Sequence, residues 1–528
     1  MKTQAPSQKQ RVCLLCLILA ATWLYTWGLQ RNLPYTIEAD ENIFVERAVQ
    51  MASTGNLNPG WFGNPGSTLL YPLVAIYRLW YLWHGSPAPD LLNWFTSAPW
   101  SFYFLARLLS VAYTLLAVCL TYQIGRIVFT PTIGLIGVTF LLSYPTMLFH
   151  IKSVRTDSVG LLFALLICWF SLQLYRRPSY RYQIMAGIML GLGVAGRYFL
   201  VLFTPLLVWL HWLAWRGLSS SAAGQDSGGH EFVKRTLGGY ARGLAVVLLA
   251  MGLGFALSTP YFLLDFPTAW HDLVIEGRST HPGADGLSPL GNFFWYWREI
   301  TQSQYGALQT GFAVIGLLLI VRRRRLLPLS LVGITVIFLT GLSLSPLHWL
   351  RWTMPILPLA ALVSAAGLEA TVAGLMQGQR QRLYQPLLLA LTLAAVAMPG
   401  AQSVQLSVQD AMPSTRLTAR LWLLQHLPPD ARLIQEPYTA LLLDDPRVTT
   451  TQISLGTEQT VDEYRRAGYT HLVISSYMYD RFLREAARYP KEVAFYQSLL
   501  QEREPLVTFT PSWAQGGPTL QIYAITNP

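Results

Sequence analysis

Eleven predominantly apolar stretches, each near the roughly twenty residues that a bilayer demands of a spanning helix, dominate this 528-residue chain. They lie at 12–29, 103–128, 131–149, 156–175, 183–199, 200–215, 241–259, 306–321, 326–344, 351–367 and 384–400. A backbone in hydrocarbon must satisfy its own N–H and C=O groups, so such stretches can only be helices. The composition agrees, with 52% hydrophobic and 12% charged residues, where a soluble domain carries about a quarter charged. The expectation is an α-helical polytopic membrane protein of about eleven transmembrane helices.

The formal charge of +11 could serve nucleic acid, anionic lipid or membrane topology, and its distribution decides. From residue 410 onward there are 11 Lys and Arg against 13 Asp and Glu, so the excess lies among the spans. A further apolar stretch, Ser67 to Trp83, determines how the spans alternate. If it lies on the surface, segments on one side carry 17 basic residues against Asp226, Glu231 and Glu369; the other side, before residue 410, carries 10 basic and 11 acidic. That is a positive-inside pattern, and it places "RRRR" at 322–325 inside. Residues 67–83 therefore read as an interfacial helix anchored by Arg78, Trp80, Tyr81 and Trp83. The N-terminus is expected in the cytoplasm, the C-terminal domain outside, and nucleic acid is not an expected partner.

The basic Met1 to Arg11 segment followed by apolar Val12 to Leu29 reads as an uncleaved signal anchor. Cys13, Cys16, Cys119 and Cys168 all fall inside apolar stretches, where thiols serve as small packing residues. Two long external loops result, Gln30 to Phe102 and Pro260 to Tyr305, the second rich in Trp and suited to the membrane surface. Residues 1–405 are expected to form the membrane domain and 406–528 a small external α/β domain. In the latter, Thr415 to His426 reads as a helix; Arg432 to Gln435, the start of "HLVISSYMYDRFLREAARY", "EPLVTFTPS" and "PTLQIYAIT" read as strands. "GLSSSAAGQDSGGH" reads as a flexible inside loop.

Charged residues at the ends of apolar spans are the candidates for chemistry, because they are costly there unless paired or used. Asp40 and Glu41 open the amphipathic segment "DENIFVERAVQMASTGN", where capping and the helix dipole alone could account for both acids. Arg155 and Asp157 stand at the outer mouth of one span, Arg197 at the outer end of another, and His348 and Arg351 at a third. An Arg155 to Asp157 pair, a snorkelling Arg197 and an interfacial Arg351 are the purely structural alternatives. All these groups converge on one face, where three arginines suit a phosphate and one carboxylate suits a base. The remaining histidines, His150 among them, are scattered without metal-ligand spacing, and no nucleotide-binding glycine pattern occurs.

In order along the chain, "ADENIF", "GNLNPGWFGNPGSTLLYPL", "ARLLSVAYTLLAVCLTYQIGRIVF", "SVRTDSVGLLFALL", "GLGVAGRYF" and "LRWTMPILPLAAL" resemble the polyprenyl-phosphate-sugar-dependent glycosyltransferases of GT-C fold. The resemblance is to glycosyltransferase family 39, with its protein O-mannosyltransferases, and to the lipid A aminoarabinose transferases. It implies Asp40 as general base, Glu41 nearby to tune or position it, and Arg155, Arg197, Arg351 and, less directly, His348 on the donor phosphate. It implies a polyprenyl-phosphate-linked sugar donor, an acceptor that is lipid, glycan or protein, inversion at the anomeric carbon, and no metal or other cofactor. Family members commonly have Lys where Arg197 stands, His-Pro-Pro in place of Asn64-Pro65-Gly66, and Tyr in place of Trp352.

Two other classes fit parts of the sequence. A transporter or lipid flippase would also use intramembrane charges, but no inverted-repeat hydropathy is visible. A membrane-anchored binding protein would place its function in the external tail.

Overall fold

The computed structural model describes residues 6–35, 39–85, 90–217, 237–376, 382–442, 445–451 and 453–525. Glu38 and, of the expected flexible loop "GLSSSAAGQDSGGH", residues 218–230 lie outside them. Two compact units emerge, one made of Met1–Thr26, Asp40–Ser279 and Gly286–Ser403, the other of Trp27–Ala39, Thr280–Asp285 and Val404–Pro528.

The first unit is helical. Among the described residues, eight helical segments are long and apolar enough to cross a membrane, or nine if one bent pair is a single span. That pair is the expected 131–149 span, which the structure breaks into Pro131–Leu142 and Pro145–Ile151 with a 67° bend. The cause is local. Pro145 has no amide hydrogen and pushes Tyr144 out of the helical region, to φ −77° and ψ 117°. Two other expected spans begin with a turn of 3-10 helix, at Tyr198–Phe203 and Leu350–Ile356. Ser67–Trp83 forms the expected helix, and its first half is buried.

Small residues bring these helices together. Gly191 in Tyr180–Gly196 lies so close to the backbone of Met251 and Phe255 in Leu237–Ser258 that a Cβ has no room. Gly316 and Gly367 do the same between Gly306–Arg323 and Leu357–Leu375.

The second unit contains a five-stranded sheet of order β2-β1-β3-β5-β4. The strands are β1 (Leu433–Gln435), β2 (Val448–Thr450), β3 (His471–Ser475), β4 (Val507–Phe509) and β5 (Leu520–Ala524). β1 pairs in parallel with β2 and β3, whereas β5 is antiparallel to β3 and β4. One core face gathers Ile434, Leu472, Ile474, Phe482 and Tyr496, the other Leu423, Leu433, Val473 and Ile522. Just after β1, wholly buried Glu436 accepts hydrogen bonds from the Ser475 amide and the Tyr496 hydroxyl. Burial pushes its carboxyl up to about 8, against the smaller opposing pull of those bonds.

Candidate active site

The helix Ala39–Thr54 sets two acids side by side and sends them different ways. Apolar Phe44, Val45, Ala48, Met51 and Ala52 are buried at helical spacing, which seats one face against the bundle. Successive side chains point about 100° apart, so Asp40 and Glu41 in the first turn cannot share a direction. Glu41 points into the core. Its carboxylate receives Arg107 Nε at 2.9 Å and Nη2 at 2.8 Å, and both side chains are inaccessible to solvent. The backbone N–H of Val154 donates to the same carboxylate at 2.9 Å. One buried acid thus ties three segments together: Ala39–Thr54, Pro99–Val128 and the turn that precedes Thr156–Arg176.

Asp40 points instead to a mouth that remains partly open, its side chain 29% exposed. Its Oδ2 accepts from Arg351 Nη1 at 2.9 Å and lies 3.3 Å from Arg155 Nε. Arg351 Nη1 in turn lies 3.8 Å from Asp157 Oδ2, and Asp157 Oδ1 receives Arg197 Nη1. Arg155 Nη1 donates to His150 Nδ1 at 3.2 Å. The result is a row of alternating charge running from Arg197 through Asp157, Arg351 and Asp40 to Arg155. Three guanidinium groups against two carboxylates leave the row one net positive charge.

Backbone geometry places the row. Arg155 is the extended residue preceding the helix Thr156–Arg176, so Asp157 falls in that helix's first turn. Arg197 ends Tyr180–Gly196, also extended, and Arg351 opens the 3-10 turn Leu350–Ile356. Gly160 gives Arg197 its path, since a Cβ there would stand 3.1 Å from the Arg197 Cδ. Asn64, of the "GNP" turn, accepts from Thr156 Oγ1 at 3.3 Å, which brings the first external loop to the same place.

Burial by itself would raise the Asp40 carboxyl, but the Arg155 and Arg351 charges and the Arg351 hydrogen bond outweigh it. Asp40 is therefore held below the ordinary carboxylate range and is ionised at neutral pH. What the row can do chemically follows from its exposure. Arg351 and Arg155 have side chains 22% and 12% exposed, and with Asp40 they form the accessible part.

The structure brings Asp40, Arg155, Asp157, Arg197 and Arg351 together. Arg197 does not snorkel to the interface: it is buried against Asp157 with its guanidinium 4.5 Å from the Phe199 ring centroid. Asp157 takes Arg197 as its close partner. His348 is buried and packs on Trp295, ring centroids 4.5 Å apart. Glu41 is turned away from the mouth. Two residues that sequence reasoning left without a role stand out, Arg107 and His150. Arg107 met the criterion used for the other arginines, a charge at the outer end of an apolar span, and lay within the quoted "ARLLS". No spacing in the sequence marks His150. Among the described residues, no group of three or more His, Cys, Asp or Glu side chains is arranged to hold a metal.

Comparison with known proteins bears on this arrangement. Residues 95–223, which include Arg107, Arg155, Asp157 and Arg197, match the family model described as dolichyl-phosphate-mannose-protein mannosyltransferase. No curated protein sequence matches the chain. Among solved structures, ArnT from Cupriavidus metallidurans in the apo state superposes with a TM-score of 0.52 at 13% identity, over 98% of each chain. The same protein bound to undecaprenyl phosphate also gives 0.52, over 99% of this chain and 100% of that one. The archaeal oligosaccharyltransferase AglB from Archaeoglobus fulgidus, in complex with an inhibitory peptide and a dolichol-phosphate, gives 0.52 at 12% identity, covering 92% of this chain and 71% of its own. At such identities the structural likeness establishes the fold alone, and the family model matches one segment of the chain. The chain has the polytopic GT-C fold and, over residues 95–223, resembles the dolichyl-phosphate-mannose-protein mannosyltransferase family.

Proposed function

We propose that the protein transfers a sugar from a polyprenyl-phosphate carrier to an acceptor at the outer face of a plasma membrane, inverting the anomeric carbon. The observation that carries this reading is Asp40, held ionised between Arg351 and Arg155 at the open end of the charged row. An acceptor hydroxyl or amine attacks the anomeric carbon from the face opposite the phosphate, and its proton goes to the Asp40 carboxylate. The bond from the anomeric carbon to the phosphate oxygen breaks, and the electron pair leaves with polyprenyl phosphate. Arg155 and Arg351 stabilise the charge that develops there. Arg197 and Asp157 act behind them, the buried pair fixing the position of Arg351. Glu41 is a positioning residue, acting through Arg107 and the Val154 amide.

The two accessible arginines have a double use. Each one drawn towards the donor phosphate weakens its hold on Asp40, so donor binding raises the basicity of the carboxylate as it is needed. AglB in complex with a dolichol-phosphate and ArnT bound to undecaprenyl phosphate, which share this fold, support a lipid-phosphate donor. The sugar and the acceptor, whether lipid, glycan or protein, are left to experiment. Mass spectrometry of envelope glycans, lipids and proteins from cells with and without the protein tests the reading. A glycoform or glycolipid that disappears with the protein is expected, together with accumulation of a polyprenyl-phosphate sugar. Identical envelopes with no donor build-up would contradict it.

A further inference from the structure

A second charged site lies at the end of the bundle opposite Asp40. The helix Leu357–Leu375 starts directly after the Arg351 turn and carries Glu369 twelve residues on, roughly 18 Å along its axis. Pro99–Val128 likewise carries Arg107 near its start, and Phe129 caps its far end. Between these far ends and the turn joining Gly306–Arg323 to Leu326–Ser343 lies a cavity of about 380 Å³. Apolar side chains such as Ile133 and Leu319 line its wall, and Arg323, Arg325, Glu369 and Thr130 supply its charge and polarity. The turn is tight, with Arg324 in the left-handed conformation at φ 49°, so Arg323 and Arg325 flank it, both exposed.

The charges lining this cavity do not neutralise one another. Glu369 Oε1 accepts a hydrogen bond from Thr130 Oγ1 at 3.3 Å, and among the described residues it has no ion-pair partner. Neither Arg323 nor Arg325 has an acidic partner among them. A half-buried carboxylate that shares one cavity lining with two guanidinium groups, unpaired among the described residues, calls for a ligand carrying both signs of charge. The apolar part of the wall calls for one that also carries hydrocarbon.

We propose that this cavity binds the headgroup of an aminophospholipid, its phosphodiester between Arg323 and Arg325 and its primary ammonium on Glu369. Arginine forks match phosphate oxygens, and a primary ammonium can donate to the carboxylate. A choline headgroup has no N–H to donate. A glycerol headgroup has no cation, so it would leave Glu369 facing net negative charge. The "RRRR" turn thereby does more than set orientation: it ties the turn to a lipid of its own leaflet.

The test titrates the purified full-length protein with dioleoyl phosphatidylethanolamine, phosphatidylcholine or phosphatidylglycerol and counts bound lipids by native mass spectrometry. Wild type should retain phosphatidylethanolamine over the other two. Glu369→Gln should weaken that retention about tenfold, the size of a lost charge-assisted hydrogen bond, without weakening phosphatidylglycerol. The double variant Arg323→Ala, Arg325→Ala should lose all three, and Arg323→Lys, Arg325→Lys should recover part of the binding if the first variant folds poorly. Equal retention of choline and ethanolamine lipids by wild type, a preference for phosphatidylglycerol, or a Glu369→Gln protein that binds phosphatidylethanolamine unchanged would each overturn the proposal.

Discussion

Asp40 answers to two arginines at once, and its basicity depends on how tightly they hold it. The folded pKa is depressed, so the ionised form is complete above the ordinary carboxylate range and is lost only as pH falls through that lower value. Transfer should therefore show no acidic limb from Asp40 until below about pH 4. Arg351→Ala removes one opposing charge and one hydrogen bond while leaving the burial that raises the carboxyl. Its acidic limb in kcat/KM should move up by about one pH unit, and kcat should fall on the order of a hundredfold. A limb that stays in place in this variant would show that Asp40 does not feel Arg351. At this scale the sequence placed the charges at one end of the bundle, because charge beside hydrocarbon is legible without a structure. Their pairing was not legible. Whether Asp157 chooses Arg155 or Arg197 depends on the extended backbone at both arginines and on the space above Gly160, none of which has a periodic signature.

Three elements depend on the Glu41 carboxylate, which no solvent reaches. Glu41→Gln leaves Arg107 as a buried charge without its counter-ion, a change expected to cost about 3–5 kcal/mol. The expected outcome is a lower thermal midpoint together with a loss of transfer, whereas a variant at Asp40 should lose transfer alone. Unfolding followed by intrinsic fluorescence in detergent checks this, and an unchanged midpoint would remove the tie between elements. The element-scale record of the sequence is uneven for physical reasons. The 3.6-residue pattern of Ala39–Thr54 and the helix Thr415–His426 was readable from apolar spacing. The 67° break was also available at Pro145, but an unbroken run of apolar residues concealed it. The strand Val448–Thr450 was invisible because it is three residues long, mostly exposed, and owes its existence to pairing with Leu433–Gln435.

For the whole molecule, the count of basic residues predicts the orientation and the fold does not. With 17 basic residues on one side, the "RRRR" turn should face the cytoplasm and the sheet unit should lie outside. In a background without the native cysteines, Asp430→Cys should react with a membrane-impermeant maleimide on intact cells. Arg324→Cys should react only after permeabilisation, and the reverse pattern would invert the orientation. That orientation decides from which side donor and acceptor reach the charged row, and the row holds only one accessible carboxylate suited to be the base. The most direct measurement is sugar transfer by purified full-length protein in proteoliposomes, from a labelled polyprenyl-phosphate sugar to envelope acceptors, with Asp40→Asn beside wild type. A loss of about a hundredfold or more at an unchanged thermal midpoint is predicted, and transfer by Asp40→Asn at the wild-type rate would contradict the account.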